Sequence, residues 1–309
     1  MDTIIVPTAL ATRRNPPFCI QYLYCLLALL MSVTACAEGS SPPSNIIYPE
    51  SLTLNYQQRD AYFVKLLTLA LEKSGASYTL SKKTLPTMSE SRSAIYLQQN
   101  RYTIHWFMTN NIHETRLIPI RIPLYKGLAG WRLFFIHPES IKTFAGINNV
   151  EKLKRYRAVQ GTDWPDSPVL KSNGFRLSLS PQWESMIELT HLKRIDYFPR
   201  ALTEIWQEAE LIKSKNLTVE HTLVLQYPAA YYFFVGKQYS EQAKMIEKGL
   251  HAAIADGSFN ALFLETFGED IAKSNIGKRR ILRINNPLLP PRTPLNTSKL
   301  WYTPSGAKD

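Results

Sequence analysis

Cysteine is confined to the first 36 residues of this 309-residue chain, at Cys19, Cys25 and Cys36. Past that point the chain has no thiol pair to form a disulfide, no cysteine nucleophile and no cysteine zinc site. Several catalytic signatures are missing too. There is no G-x-S-x-G elbow, no H-E-x-x-H and no P-loop. The six histidines, His105, His113, His137, His191, His221 and His251, include no pair at the i,i+4 spacing of a helical metal site. Asp163 and Asp166, three apart, read as helix capping rather than general acid and base. No period of repeat-protein length occurs, and no cofactor or metal is expected.

Long apolar runs are also scarce. The main one, Ile20 to Val33, is shorter than the roughly 20 residues of a comfortable membrane span. It follows Arg13 and Arg14 and precedes Ala35-Cys36-Ala37, a small-x-small cleavage pattern. Residues 1–37 therefore read as a secretory leader, which implies a periplasmic, exported protein. Val33-Thr34-Ala35-Cys36 also resembles a bacterial lipobox, so lipid anchoring at Cys36 is a second reading. What remains is long enough for one large or two medium lobes. The net charge is +11, with a short basic cluster at Lys278-Arg279-Arg280 and the rest scattered. No nucleic-acid motif accompanies it, so a solvated basic face is expected and no nucleic-acid partner.

Apolar residues at Tyr62-Phe63, Leu66-Leu67 and Ala70-Leu71 predict a helix over 60–73, capped by Asp60 and stopped by Gly75. Further helices are expected over 89–99, near 150–154, from 165–166 to Gly174, over 183–189, 202–209 and 240–256, and from Phe259 to Phe267. Strands are expected at 45–48, 77–80, 102–107, 131–136, 157–160, 175–179 and 195–198, with apolar runs at 217–226 and 231–235. Strands alternating with helices predict an α/β class with mostly parallel sheets. In such sheets ligands sit beyond the carboxyl ends of strands. Thr109, Gly161-Thr162 and Pro199-Arg200 all follow expected strands, which suggests one shared site.

The stretch W-F-M-T-N-N-I-H-E-T-R-L-I-P-I-R-I-P-L-Y-K-G-L-A-G-W-R, Trp106 to Arg132, resembles the ligand-binding signature of periplasmic solute-binding proteins of the amino-acid type. R-A-V-Q-G-T-D-W, K-R-I-D-Y-F-P-R, Y-Y-F-F-V-G-K and G-L-H-A-A-I-A-D-G-S-F follow in the family's order. The resemblance implies a two-lobed type II periplasmic-binding-protein-like fold, each lobe a mostly parallel sheet flanked by helices. Lobe 1 would comprise 45–125 plus 228–285, lobe 2 would comprise 126–227, and 286–309 would be a Pro-rich tail. Two crossovers, near Ile122 to Trp131 and near His221 to Tyr227, would form the hinge.

The resemblance also implies a site. Thr109, Asn111 and Arg116 match first-lobe ligand positions and Thr162 a second-lobe one. Arginine binds a carboxylate through a planar fork. The loop M-T-N-N-I-H-E-T-R departs from the usual Thr-x-x-Arg. Arg200 stands near the place of the acid that usually meets a ligand ammonium, with Asp163 and Glu204 as displaced substitutes. Two arginines point to an anionic or carboxylate-bearing ligand. Tyr48, Trp106 and Trp164 are candidates to stack on it. Alternatives stay open: Arg116 as a surface partner of Glu114, Thr109 and Thr162 as turn caps, and the aromatics as core. The function implied is a monomeric, non-catalytic solute-binding protein that closes over its ligand and is read by transporter membrane subunits or a membrane receptor. A sensor module and an enzyme like the cyclohexadienyl dehydratases are the rivals on the same fold.

Overall fold

The computed structural model describes residues 42–304. The leader and Cys36 readings lie outside the described residues, as does the end of the tail.

The first lobe opens with β1 (Ser44–Ser51), α1 (Leu54–Ser74), β2 (Tyr78–Leu85), α2 (Glu90–Gln98), β3 (Ile104–Met108), α3 (Asn111–Arg116) and β4 (Ile118–Ile120). It is completed by β11 (Tyr231–Val235), α9 (Ser240–Ala255) and α10 (Ser258–Ser274). β1 and β2 pair in parallel. β11 lies between β3 and β4, antiparallel to both. Two bonds tie β1 to the residues just before β3: the Thr103 N–H donates to the Ile47 carbonyl at 2.8 Å, and the Ile47 N–H to the Thr103 hydroxyl at 3.1 Å.

The second lobe is the intervening segment. It contains β5 (Trp131–Ile136), α4 (Ile141–Ala145), α5 (Val150–Leu153), β6 (Arg157–Gly161), α6 (Asp166–Ser172), β7 (Arg176–Ser180), α7 (Trp183–His191), β8 (Phe198–Ala201), α8 (Leu202–Leu211), β9 (Thr218–Val219) and β10 (Leu223–Gln226). β5 is buried along its whole length, as a central strand of a covered sheet must be. It pairs with β8, β9 and β10, all antiparallel. β6 and β7 are parallel, and Ala158 of β6 bridges Tyr197 next to β8.

The two-lobed α/β architecture expected from the sequence stands. Within it the sheets are not mostly parallel: β11 makes one antiparallel throughout and β5 brings antiparallel pairs to another, because each enters by crossing between lobes rather than by a βαβ turn. β12 (Arg280–Arg283), expected within lobe 1, instead pairs in parallel with β10 of the second lobe. α1 begins six residues before the expected start, with Thr53 at its N-cap. Asp60 therefore lies inside the helix, where its carboxylate accepts from the Arg59 guanidinium at 2.8 Å rather than capping. Gly75 ends α1 in the left-handed conformation at φ 73°, which glycine adopts without steric cost. The strand expected at 195–198 is shifted to Phe198–Ala201. The Asp196 side chain is drawn off to the Arg157 N–H at 2.6 Å.

Besides the passage from α10 to β12, two crossings join the lobes, between β4 and β5 and between β10 and β11. They run close together. The Tyr227 N–H donates to the Gly130 carbonyl at 3.0 Å, and the Leu124 N–H to the Tyr231 carbonyl at 2.9 Å. A Cβ at Gly130 would lie 1.9 Å from the Tyr227 carbonyl oxygen, so only glycine permits this approach. The C-terminal tail fastens to both crossings. Ile284 N–H donates to Gln226, the Asn286 amide to Pro228, and Tyr302 N–H to Lys126. Trp301 packs on Gly127, and Leu300 is buried.

Candidate functional site

α3 is less than two turns long, and its N-cap Asn110 accepts from the His113 N–H at 2.8 Å. Residues two apart on a helix point to different sides. Glu114 turns inward with its side chain 9% exposed, and Arg116 turns out to solvent. Thr109 is buried, and its hydroxyl donates to Glu114 Oε1 at 2.9 Å. Arg121 Nε donates to Glu114 Oε2 at 3.0 Å. The loop that was expected to receive a carboxylate thus presents a carboxylate of its own, already neutralised. Asn111 is exposed at the start of α3.

In the second lobe, Thr162 and Asp163 are exposed on the turn after β6, and the Thr162 N–H is taken by the Ser180 carbonyl. Asp163 caps nothing: the N-cap of α6 is Pro165, without a side-chain bond. Arg200 is buried and fully engaged. Its Nε donates to Glu208 Oε2 at 2.6 Å, and Nη2 lies 3.1 Å from Glu204. Its guanidinium sits 4.4 Å over the Trp164 ring, which in turn stacks near Phe198. This is a self-contained ion-pair stack, not an open anion receiver.

The sequence reading missed a second arginine centre. Arg132 is the one charged residue of β5, W-R-L-F-F-I, and is 3% exposed. A charge on a buried strand needs partners. Arg132 Nε donates to the Tyr227 hydroxyl at 3.0 Å, and Nη2 meets Asp166 Oδ1, which also accepts from the Tyr227 hydroxyl. Glu204 lies 3.9 Å from Arg132. Burial acts to lower the Arg132 guanidinium, but Asp166 and Tyr227 outweigh it and hold it raised. Burial likewise acts to raise Glu204, but Arg200 and Arg132 pull it below its ordinary value. Glu208 goes the other way, raised chiefly by burial.

The first lobe faces this network with Arg59 and Glu90. Arg59, on α1, pairs with Asp60 and lies 4.7 Å over the Tyr56 ring. It lines one cavity with Thr203 and Gln207, so it stands near the second lobe. Glu90 opens α2 and is partly buried. Its carboxyl is raised to about 8 by burial first and by Asp166 of the other lobe second, with Arg59 opposing. Among the described residues Glu90 has no side-chain hydrogen bond. Tyr125 and Tyr231, 5.4 Å apart, form an aromatic floor.

Tyr48 is half-buried against Trp106, and Trp106 stacks on Phe63 at 5.1 Å, so both serve first as packing. The Trp106 Nε1–H is buried with no partner. A cavity of about 100 Å³ opens between the lobes, with Gln58, Arg59, Tyr62 and Tyr125 on one side and Thr203 and Gln207 on the other. A larger hollow, about 430 Å³, lies away from this cleft beside Trp206, Lys213, His221 and Lys273. Its lysines are already paired with Glu210 and Glu269, so the cleft is the better candidate. Among the described residues no cluster suits a metal ion, and no helix is long and apolar enough to cross a membrane.

No protein-family model and no curated protein matches the chain. Solved structures do. The chain is similar to a probable amino-acid ABC transporter extracellular-binding protein from Bacillus subtilis, at 17% identity and TM-score 0.56, covering 74% of this chain and 99% of that one. It is similar to an ancestral arginine-binding protein bound to arginine, at 13% identity and TM-score 0.53, covering 74% and 100%. It is also similar to a histidine kinase sensor domain with similarity to periplasmic binding proteins, at 14% identity and TM-score 0.53, covering 74% and 97%.

Proposed function

We propose that this chain, which has the two-lobed fold of the periplasmic binding proteins, is an exported, monomeric, non-catalytic solute-binding protein. It captures a small amino-acid-like solute between its lobes. The observation that carries the reading is the cleft itself. Groups from both lobes, Gln58, Arg59, Tyr62 and Tyr125 on one side and Thr203 and Gln207 on the other, line the cavity between them. A ligand touching both walls favours the closed form by its extra contacts there, which is what hinge closure requires. The names of similar structures, binders of amino acids among them, support the ligand class.

The anionic ligand suggested by Arg116 and Arg200 has little to receive it. Arg116 faces solvent, and Arg200 is held by two carboxylates. A ligand carboxylate falls instead to the outer edge of Arg59. Arg132 and Arg200 are tied to carboxylates in ion pairs, which suits holding a solute rather than turning it over. The closed form is read by a transporter's membrane subunits. The similarity to a sensor domain favours a membrane receptor as the second reading.

A thermal-shift screen against amino acids, amines, dicarboxylates and sugar acids tests this. A solute at a hundred times its Kd should add about 2.7 kcal/mol of stability. Such a shift, lost in Thr203→Trp, which fills the cavity between the lobes, is the expected result. A folded protein that responds to none of these solutes would refute the reading.

A further inference from the structure

One buried hydroxyl in the cavity between the lobes has nothing to bond. Thr203 is 8% exposed and lines that cavity, and its Oγ1 has no partner among the described residues. A buried polar group without a partner is costly, and one that faces a cavity is satisfied by whatever enters it. Thr203 stands in the first turn of α8, the helix end that carries partial positive charge. Gln207, four residues on, lies along the same face and lines the same cavity.

Arg59 and Lys65 are the charged groups of the lining, and no carboxylate lines it. Their acids stand outside. Arg59 donates from Nε to Asp60 at 2.8 Å, its one hydrogen bond among the described residues, which leaves the four N–H donors of its two Nη groups. Lys65 lies 3.5 Å from Glu265, and both side chains are more than half exposed, so water screens that pair. Glu204, next to Thr203 in the chain, lies 3.1 Å from the Arg200 guanidinium. Two hydroxyls of the lining are already engaged: Tyr62 donates to the Leu124 carbonyl and Thr266 to the Leu262 carbonyl. What remains is a set of N–H and O–H donors with positive charge on the first-lobe wall. A carboxylate, which only accepts, suits it. An ammonium would meet two cations and no acid.

The cavity is about 100 Å³. A cavity of about 150 Å³ accommodates benzene, with its six carbons, so about four non-hydrogen atoms seat here. That is a carboxylate and one carbon more.

We propose that the cavity takes a small monocarboxylate, its oxygens held between the Arg59 guanidinium of the first lobe and the Thr203 hydroxyl of the second, and that a ligand ammonium is dispensable. The inference rests on the solute-binding reading above and narrows its ligand. It also gives closure a contact: Arg59 belongs to α1 and Thr203 to α8, so one carboxylate that satisfies both ties the lobes together.

The test compares each amino acid with the acid it leaves on losing its amino group, glycine with acetate and L-alanine with propionate. Acetamide, the neutral isostere of acetate, is measured beside them. Affinities are read by calorimetry on the full chain at pH 7. Acetate and propionate should bind at least as tightly as the amino acids, and acetamide at least tenfold less tightly than acetate. Thr203→Val, close in shape, removes the hydroxyl and should weaken acetate about tenfold; Arg59→Gln, at an exposed position, should do the same. Arg116→Gln, at the solvent-facing end of α3, should leave it unchanged. An amino acid that binds tenfold more tightly than its deaminated partner, acetamide binding like acetate, or either cavity variant binding like the parent overturns the proposal. If acetate and propionate do not bind but another solute does, this inference fails while the solute-binding reading stands. If no solute binds, both fail.

Discussion

Removal of Asp166 offers the sharpest test of the cleft's electrostatics. Arg132 and Asp166 are 3% and 5% exposed, and they share the Tyr227 hydroxyl. Asp166→Ala leaves the guanidinium buried with only Glu204, 3.9 Å away, to answer its charge. Breaking a buried pair in this way costs about 3–5 kcal/mol. For a chain of this length, that is a fall in Tm of roughly 6–10 °C. Arg132→Met should cost a similar amount by stranding the carboxylate. If the two act as a pair, the double variant costs no more than either single one, because neither charge is then left alone. The assay is urea unfolding of the four proteins in ligand-free buffer at pH 7. Costs that simply add, or a single-variant cost under about 1 kcal/mol, would show that the two charges are solvated rather than locked together.

Three further outcomes are expected. Glu90 holds its proton to about pH 8 in the fold, while an unfolded glutamate releases it near its ordinary value of about 4.5. The folded state thus binds more protons between those values, and stability relative to Glu90→Gln should fall as pH rises from about 5 to 8. The slope is at most about 1.4 kcal/mol per pH unit, measured by denaturant unfolding; a difference that does not change with pH contradicts the assignment. Gly130→Ala puts a methyl group into the Tyr227 carbonyl and should cost about 3 kcal/mol or more, with the crossings forced apart; an ordinary surface-sized effect would mean the approach is looser than drawn. Truncation after Asn285 removes buried Leu300 and the Tyr302–Lys126 and Asn286–Pro228 bonds, and should cost about 2–4 kcal/mol and broaden the distribution of lobe separations in small-angle scattering.

The fold was legible because its signals are local. Helical spacing from Tyr62 to Leu71 and apolar runs such as Trp131 to Ile136 identify elements without any partner. What failed was set by distant residues. R-I-L-R at 280–283 follows a basic cluster and reads as surface until β10 pairs with it. The start of α1, L-N-Y-Q-Q-R, has too few apolar residues to show a period.

The site was less legible. Spacing cannot tell that Glu114, not Arg116, turns inward on a helix this short. Arg200 was noticed, but its two acids, four and eight residues on, were not joined to it as an ion pair. Arg132 could have been found, since a lone charge in a wholly apolar strand asks for a buried partner. Arg59 and Glu90 carry no such mark: both sit in polar stretches, and only the other lobe makes them part of a cleft.

The position of β11 between β3 and β4 has a consequence for how the chain assembles. β3 and β4 are complete by Ile120, yet the strand that bonds both arrives only with Tyr231–Val235. In the second lobe β5 finds β8, β9 and β10 within the intervening stretch, and only the outer edge of β10 waits, for β12. Contacts between distant residues form slowly, because the loop must be closed before they contribute. A newly made chain should therefore complete most of the inserted lobe first, while the outer one keeps two open strand edges. The vulnerable interval for misassembly is the synthesis of the residues between Ile120 and Tyr231.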